Sequence, residues 1–383
     1  MVVLTQAEAR IEELLRSAYP GVTVQRRRRY LSGDYEWSVA QCLLAGGPAG
    51  TPESVVLKWL RDDPNWGRAD PRQMLNERAA LEFLQGIGLP IAPRFLFSDA
   101  NTTILVMEDL QPRRPLYDLL DGPVSGEAAL GLTAFARALG RLGAETAGRE
   151  EAHLKLRAAL GPPEDLSAFR TDRIARVWLE SRAAAESVEV EVAPAAEAEM
   201  SGVLDILAAP GPFRAFSNGD AGENNFLWDG SDGRIIDFEF AGFQHALLDG
   251  ACLQVVHSRW ISFPDPLVSG LEATYRSALA EGISEAADDR TWNRAMGGAV
   301  MARSLASLGR RIVKVGARPL GDPSRPQLIS IFEFAARAVR QHGVLPALAG
   351  LCDELAETLR RRWPDAREIL EGLHGREDEW VRR

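Results

Sequence analysis

The stretch SNGDAGENNFLWDGSDGRIIDFEF, residues 217–240, decides the fold of this 383-residue chain. It contains Asp220, then Asn225 five residues later, and finally Asp237. Two short apolar runs flank a DGSDG turn, and this pattern predicts a β-hairpin. Because a hairpin folds the chain back on itself, we expect it to bring Asn225 and Asp237 near each other.

Two acids and an amide in this order are the residue types that phosphoryl transfer requires. The transition state is loose and anionic, so a protein mainly positions groups and supplies cations. One carboxylate beside an acceptor hydroxyl can orient that hydroxyl and take its proton. A second carboxylate and an amide oxygen can hold Mg²⁺, which prefers hard oxygen ligands. Taken alone the Asp–x₄–Asn pattern is weak, since turns rich in Asp, Asn and Gly are common.

The segment resembles the catalytic region of the aminoglycoside phosphotransferase/choline kinase family, within the protein-kinase-like fold. The catalytic loop of that family reads His-Gly-Asp, with Asn five residues after the Asp. A hairpin and an Ile-Asp-Phe/Trp-Glu/Asp motif follow, which here corresponds to residues 236–239. The resemblance implies that Asp220 is the catalytic base and that Asn225 and Asp237 are Mg²⁺ ligands.

The start of the catalytic loop departs from the family pattern. Asn218 stands where the family usually has His. Because asparagine can also donate and accept hydrogen bonds, the difference concerns loop geometry more than chemistry. Downstream, LLDGACL (247–253) is similar to the family's Tyr-Asp-Leu segment. That similarity implies that Asp249 is a structural buttress of the loop.

A lysine and a glutamate upstream agree with the resemblance in order and spacing. SVVLKWL (54–60) places Lys58 late in a predicted strand, where the family has its phosphate-contacting lysine. Glu77 lies in the following helix, at the place of the acid that orients that lysine. Two structural alternatives stay open. Lys58 could be an edge-strand residue with its ammonium in water, and Glu77 could be an exposed helix residue.

Two further segments resemble the nucleotide-binding parts of the family. LSGDYEWSV (31–39) lies between two predicted strands, where Gly33 and backbone N–H groups would face the phosphates. LVMEDL (105–110) is similar to the strand and connector whose backbone pairs with the nucleobase. The residues implied there are Met107 beside the pocket, and Glu108 and Leu110 as backbone partners.

The order of predicted elements indicates an α+β, protein-kinase-like fold. We expect a small β-rich N-lobe at 1–108, a connector at 109–115, and a larger, mainly helical C-lobe at 116–383 that carries the catalytic loop and hairpin. The predicted strands are 22–31, 37–45, 54–60, 94–98 and 103–108. The predicted helices are 5–18, 73–85, 125–147, 172–186 and 195–208.

Composition limits the binding partners and the cellular compartment that we expect for this protein. The chain has 44 basic and 54 acidic residues, a net charge of −10, which disfavours general binding to nucleic acid or anionic lipid. Three widely spaced cysteines do not indicate a disulfide framework, and no signal peptide or membrane span is predicted. We therefore expect a cytoplasmic protein.

The expected activity is transfer of the γ-phosphate of ATP or GTP, with Mg²⁺, to a hydroxyl of a small acceptor. Trp260, Asp265 and Glu272 lie where the family often builds its acceptor pocket, and an acidic pocket would suit a cationic amino sugar or amino alcohol. They could equally be packing or surface residues, so no role is assigned to them. One alternative is a catalytically impaired nucleotide-binding module. A protein kinase is disfavoured because residues 237–250 leave no room for an activation loop.

Overall fold

The computed structural model describes residues 6–29, 37–60, 71–120, 125–161, 166–254 and 269–366. Contacts between residues divide the chain into two units. The N-terminal unit comprises Met1–Arg113, Glu151–Pro163 and Arg234–Ala241. The C-terminal unit comprises Arg114–Glu150, Glu164–Gly233 and Gly242–Arg383.

The first segment of the N-terminal unit, Met1–Arg113, contains a five-stranded antiparallel sheet and the helices α1 and α2. The helices are α1, Gln6–Ala18, and α2, Pro71–Gly86. The strands are β1, Val22–Arg29; β2, Trp37–Gly46; β3, Ser54–Leu60; β4, Phe95–Ser98; and β5, Ile104–Glu108. Their order in the sheet is β1-β2-β3-β5-β4, so β3 is the central strand. The strands and helices predicted for this part of the chain are confirmed within the described residues, with ends that differ by at most two residues. Residue 5 of the first predicted helix and residues 30–31 of the first predicted strand lie outside the described residues.

One face of the sheet is covered by α1. Side chains alternate between the two faces of a strand. Every second residue of β3 is accordingly buried in one apolar cluster, together with Ile11 and Leu15 of α1. These β3 residues are Val55, Leu57 and Trp59. Each fully buried aliphatic side chain contributes about 1.5–3 kcal/mol, so this cluster fixes which face β3 turns toward α1.

The other face of the sheet carries Lys58 and packs against α2. Lys58 pairs across the sheet with Leu105 of β5, and directly opposed residues share a face. Leu105 packs against Met74 of α2. Glu77 follows Met74 by three residues, a spacing that places both on one side of a helix. The alternation of β3 and the period of α2 therefore direct Lys58 and Glu77 toward each other.

The C-terminal unit is mainly helical. Its helices are α3, Leu116–Leu120; α4, Gly126–Thr146; α6, Leu166–Ser187; α7, Pro194–Ala208; α8, Leu247–Gly250; α9, Leu271–Ala280; α10, Asp289–Gly316; α11, Ser324–Gln341; and α12, Pro346–Arg362. Helix α5, Glu150–Leu160, begins at the last residue of one segment of this unit and belongs to the N-terminal unit from Glu151 onward. The remaining short strands are β6, Arg114–Pro115; β7, Arg214–Ser217; β8, Phe226–Trp228; β9, Gly233–Ile235; and β10, Gly242–His245. The α+β class is confirmed.

Helix α4 begins at a side-chain cap and packs closely against α9. The hydroxyl of Ser125 accepts a hydrogen bond from the N–H of Ala128, which satisfies one of the free donors of the first turn. A Cβ at Gly140 would lie 2.5 Å from the carbonyl oxygen of Tyr275. Glycine is therefore required where the two helices cross.

The predicted DGSDG turn forms between β8 and β9. The N–H of Asp229 donates to the carbonyl of Asp232 at 3.3 Å, and the Asp229 carboxylate accepts from the N–H groups of Ser231 and Asp232. Such Asx-type bonds close a turn without tertiary contacts, which explains why the sequence pattern alone predicts it.

Two further expectations concern the cysteines and the membrane. All three cysteines are free and buried, as expected from their spacing. Among the helices of the described ranges, each is too short or too polar to cross a membrane.

Candidate active site

A buried cluster in the N-terminal unit surrounds Lys58. Its Nζ donates to Glu77 Oε2 at 2.7 Å, to Asp237 Oδ1 at 2.6 Å and to Glu239 Oε2 at 2.8 Å. Lys58 is 4% exposed and Glu77 is 2% exposed. The edge-strand alternative for Lys58 and the exposed alternative for Glu77 are therefore wrong. The reason is that β3 lies in the middle of its sheet and α2 covers this face.

The cluster has more negative charge than Lys58 can neutralise. One ammonium faces three carboxylates, which leaves a net charge of −2 when all four groups are ionised. Burial alone lowers the pKa of Lys58, but the three carboxylates together raise that pKa well above its ordinary value. Burial raises the pKa of Glu239 to about 7, and Lys58 offsets only part of this shift. Burial also raises the pKa of Glu77.

The backbone of Asp237 is in an unusual conformation. Its φ is 64°, in the left-handed region, which costs a non-glycine residue roughly 1–3 kcal/mol unless its surroundings hold it. Two adjacent residues of α2 contact the segment that follows. The Glu77 carboxylate accepts a hydrogen bond from the N–H of Phe238, and Asn76 Nδ2 donates to the Glu239 carbonyl at 3.4 Å. Helix α2 therefore holds both the lysine and the aspartate segment.

The predicted catalytic loop of the C-terminal unit, residues 218–225, is anchored by Asp249. Its carboxylate accepts the N–H of Asn218 at 2.7 Å and the N–H of Gly219 at 3.3 Å. Gly219 has a φ of 89°, a conformation that favours glycine. Asn218 is fully buried, and its Oδ1 accepts the N–H of Asp220 at 3.1 Å. The buttress role of Asp249 is confirmed, and Asn218 serves as a hydrogen-bonding anchor of the loop.

Asp220 and Asn225 lie together at the end of this loop. A single 3₁₀ turn, Glu223–Asn225, brings Asn225 back toward Asp220. Asn225 Nδ2 donates to the Asp220 carbonyl at 2.9 Å and lies 3.4 Å from Asp220 Oδ2. Asn225 is buried, whereas Asp220 is exposed. The bonds to Nδ2 fix the direction of the Asn225 amide, so its Oδ1 is the atom suited to a cation.

The residues predicted to meet the nucleobase lie at the end of β5 and just beyond it. Met107 is buried opposite Val56 of β3, and the Glu108 carboxylate accepts the N–H of Arg94 at 3.1 Å. Leu110 is buried, and its carbonyl accepts the N–H of Arg113. The nucleobase role of these residues stays a prediction. Gly33 lies outside the described residues.

Glu272, considered for the acceptor pocket, makes structural hydrogen bonds near the start of α9. Its carboxylate accepts the indole N–H of Trp292 at 2.6 Å and the Gln254 amide at 2.5 Å. These bonds tie α9 to α10 and to the segment after α8. The other two residues considered for that pocket, Trp260 and Asp265, lie outside the described residues.

Sequence reasoning assigned no role to Glu239 and missed Asn76. Glu239 lies in the quoted Ile-Asp-Phe-Glu motif, and its spacing of two residues from Asp237 was a usable signal. Asn76 directly precedes Glu77 but belongs to no motif. Its contact with Glu239 joins positions 163 residues apart, which a pattern within the chain does not reveal.

The donor set around Asp237 fits a divalent cation. Oxygen atoms of Glu77, Asp237 and Glu239 lie within 4.8 Å of one another, and carboxylate oxygens are ligands that Mg²⁺ prefers. The net charge of −2 matches the charge of such an ion. The Asp237 side chain is 34% exposed, against 3% for Glu77 and 11% for Glu239. Asp237 is therefore the carboxylate of the cluster most open to a cation.

Comparison with known proteins places this geometry in a family. The model of the phosphotransferase enzyme family matches residues 51–291, more than half of the chain. A search of curated proteins finds no match. A solved ternary complex of streptomycin, ATP and APH(2")-IIa is similar at a TM-score of 0.52 and 15% identity, covering 86% of this chain and 97% of that one.

Choline kinases are also among the similar structures. Choline kinase LicA from Streptococcus pneumoniae matches at a TM-score of 0.46 and 15% identity, covering 87% of this chain and 100% of that one. A choline/ethanolamine kinase family protein from Mesorhizobium loti matches at a TM-score of 0.44 and 15% identity, covering 89% and 98%. With the match over residues 51–291 and the α+β, protein-kinase-like architecture, the chain belongs to the phosphotransferase enzyme family.

Proposed function

We propose that this protein is a cytoplasmic small-molecule kinase that transfers the γ-phosphate of ATP or GTP to a hydroxyl of its acceptor. The observation that carries the proposal is the contact of Lys58 with both Glu77 and Asp237. The ammonium of Lys58 has three donors, and all three bond to carboxylates, so it would bind a phosphate oxygen by exchanging one partner, such as the partly exposed Asp237. Membership of the phosphotransferase family supports the same chemistry.

Asp220 is the proposed catalytic base. Its carboxylate is exposed, so an acceptor hydroxyl can reach it, and it would orient that hydroxyl and take its proton. The backbone around it is fixed by Asn218 and Asp249. This fixed backbone allows the short donor–acceptor distance that proton transfer requires.

Asn225 and Asp237 are the proposed Mg²⁺ ligands. Asn225 would contribute its amide oxygen and Asp237 a carboxylate oxygen. When bound, Mg²⁺ neutralises the negative charge on the transferred phosphate. Glu77 would keep Lys58 directed at the phosphates. Gly33 and the backbone of the segment from Met107 to Leu110 would contact the nucleotide.

The proposed acceptor is a small hydroxylated molecule, such as a sugar, amino alcohol or aminoglycoside-like compound. A cationic acceptor is favoured by the net charge of −10, which attracts cations to the protein surface. The similar APH(2")-IIa complex contains streptomycin together with ATP, and other similar structures are choline kinases. An aminoglycoside and choline are therefore the first compounds to test.

The test is a turnover assay with Mg-ATP or Mg-GTP against aminoglycosides, choline-like alcohols, amino sugars and neutral sugars. We expect turnover of at least one acceptor, and Asp220→Asn should lower kcat roughly 10²- to 10⁴-fold. Nucleotide affinity should not change. Asp205→Asn, an exposed aspartate of α7 in the same unit, is the matched control. Its kcat should equal that of the wild type.

Two results would decide against parts of the proposal. Tight binding of Mg-nucleotide without turnover of any acceptor would favour the catalytically impaired nucleotide-binding module. Turnover that is undiminished in Asp220→Asn would exclude Asp220 as the base while leaving the kinase activity in place.

A further inference from the structure

Helix α5 contacts α2, the helix that carries Glu77. The segment Glu151–Pro163 belongs to the N-terminal unit although it follows α4 in the chain. His153 packs edge-on against Phe83 of α2, with ring centroids 5.5 Å apart. One turn further along α5, Arg157 Nε donates to Asn76 Oδ1 at 2.6 Å. Arg157 is 3% exposed, so this contact is buried.

Arg157 determines which way the Asn76 amide points. A guanidinium has donors and no acceptor, so the group of Asn76 that faces it must be the oxygen. The amide nitrogen is then directed to the Glu239 carbonyl, 3.4 Å away. Arg157 Nη1 donates to the Gly161 carbonyl at 3.2 Å, which keeps the guanidinium in one orientation. Arg157, Asn76 and the Glu239 carbonyl therefore form a continuous chain of hydrogen bonds from α5 to the backbone of Glu239.

Asn76 and Glu77 contact the same short segment from adjacent positions of α2. Glu77 accepts the N–H of Phe238, and Asn76 donates to the carbonyl of Glu239. The segment begins with Asp237, whose φ of 64° is uncommon for a residue with a side chain. Such conformations persist where surrounding contacts determine them, and these two contacts are of that kind.

We infer that Arg157 and Asn76 are positioning residues, which hold Asp237–Glu239 in the conformation that presents Asp237 beside Lys58. They act through the backbone of Glu239 and through the orientation of α2. The inference rests on the proposed kinase function only for its effect on turnover, because the conformation of the segment can be measured directly.

Asn76→Asp separates positioning from simple docking of α5. Aspartate keeps an acceptor for Arg157 and forms an ion pair with it, so α5 stays docked. It also replaces the amide donor by an oxygen that faces the Glu239 carbonyl oxygen, and the two repel. We expect a melting temperature lowered less than in Arg157→Ala, a kcat or apparent Mg²⁺ affinity lowered roughly 10- to 100-fold, and faster amide hydrogen exchange at Phe238 and Glu239.

Two variants of Arg157 and one matched control complete the test. Arg157→Ala should change kcat or Mg²⁺ affinity and the amide exchange rates in the same direction as Asn76→Asp. It should lower the melting temperature more than Asn76→Asp does, because α5 then loses its contact with Asn76. Arg157→Lys should lose less, because an ammonium can still donate to Asn76. Arg214→Ala is the control, since Arg214 pairs with Glu150 at the start of α5, with its Nε 2.8 Å from Oε2 and within the C-terminal unit. Its Mg²⁺ dependence should match that of the wild type.

Wild-type kcat, Mg²⁺ dependence and exchange rates in Asn76→Asp would overturn the inference and leave the kinase activity standing. A wild-type protein without turnover of any acceptor would instead disprove the proposed function. In that case the exchange rate of the Phe238 amide in Asn76→Asp still decides the inference. An unchanged rate overturns it, and a faster rate supports it.

Discussion

The Lys58 cluster (Lys58, Glu77, Asp237 and Glu239) and the Asp220 loop (residues 218–225) contribute to one proposed reaction, but different kinds of contact hold them in place. The Lys58 cluster is buried and highly charged, and its four side chains come from β3, α2 and the segment after β9. The Asp220 loop is local, and Asp220 itself is exposed although Asn218 and Asn225 are buried. Its residues lie within eight positions of sequence, and backbone N–H groups bonded to Asp249 hold its start.

The difference determines how each region should respond to substitution. In the Lys58 cluster, the three carboxylates repel one another and are held together by Lys58, so function and folding are coupled. In the loop, Asp220 extends from a backbone that other residues hold. Its side chain can therefore change without loss of the fold. Buried charge is the more demanding way to build a site, and here it fixes the position of the Lys58 ammonium.

The largest effect should come from Lys58→Met. The substitution keeps the length of the side chain but leaves the buried Glu77 and Glu239 and the partly exposed Asp237 without their cation. Breaking a buried ion pair in this way costs about 3–5 kcal/mol in the free energy of unfolding. Urea unfolding at pH 7 measures this cost, and turnover should be lost as well.

Lys155→Met is the matched control, because Lys155 is an exposed lysine of α5 in the same unit. Its free energy of unfolding should change by less than about 0.5 kcal/mol. If Lys58→Met were as stable as this control, the charge balance described for the cluster would be wrong.

A smaller effect should appear in the pH dependence of the C-terminal unit, through His245. This residue lies on β10, which pairs with the strand leading into the loop, and burial lowers the pKa of His245 to about 4. The unfolded chain takes up a proton near pH 6.5, whereas the folded protein does not until pH 4. Stability is therefore complete above pH 6.5 and falls by about 3 kcal/mol as the pH drops to 4.

His245→Phe tests this dependence, because phenylalanine keeps an aromatic ring beside Phe213 and cannot take up a proton. Urea unfolding of both proteins between pH 7 and pH 4 gives the comparison. The wild type should lose about 3 kcal/mol more than the variant over this range. Parallel curves for the two proteins would contradict the assignment of a neutral, buried His245.

The smallest of the three effects should come from Asp249→Asn. An amide can accept one of the loop N–H groups but places its own N–H beside the other. We expect a loss of about 1.5–3 kcal/mol in the free energy of unfolding, the value of a hydrogen bond to a charged group. Because the loop backbone then shifts, kcat should fall while Mg-nucleotide affinity stays close to the wild-type value.

Asp205→Asn provides the control, since Asp205 is an exposed aspartate of α7 in the same unit. It should be as stable and as active as the wild type. An Asp249→Asn protein with unchanged kcat would show that the loop keeps its geometry without the charged anchor. The comparison between the two regions would then have to be revised.

Local patterns in the sequence predict much of this structure. Alternation of apolar residues locates β3, helical spacing locates α2, and the DGSDG turn closes by bonds within four residues. The catalytic loop is recognisable for the same reason. Its hydrogen bonds join residues two and five positions apart, so their spacing is itself the signal.

Contacts over long sequence distances escaped prediction. Whether Lys58 lies at a sheet edge or in its centre depends on the order of strands, which alternation does not encode. Glu239 looks like an ordinary acid until the fold places it 2.8 Å from Lys58. Arg157 lies in an amphipathic helix with no motif, and only its docking on α2 shows that it contacts Asn76.

The sequence by itself determined the residue types of the proposed reaction, the order of the elements and the local geometry of the catalytic loop. These depend on spacing and backbone propensity, which act over a few residues. The tertiary structure alone decided which charges share a buried site and which residues hold Asp237 in its left-handed conformation. Burial and charge balance are properties of the folded chain, because they arise only when distant segments exclude water together.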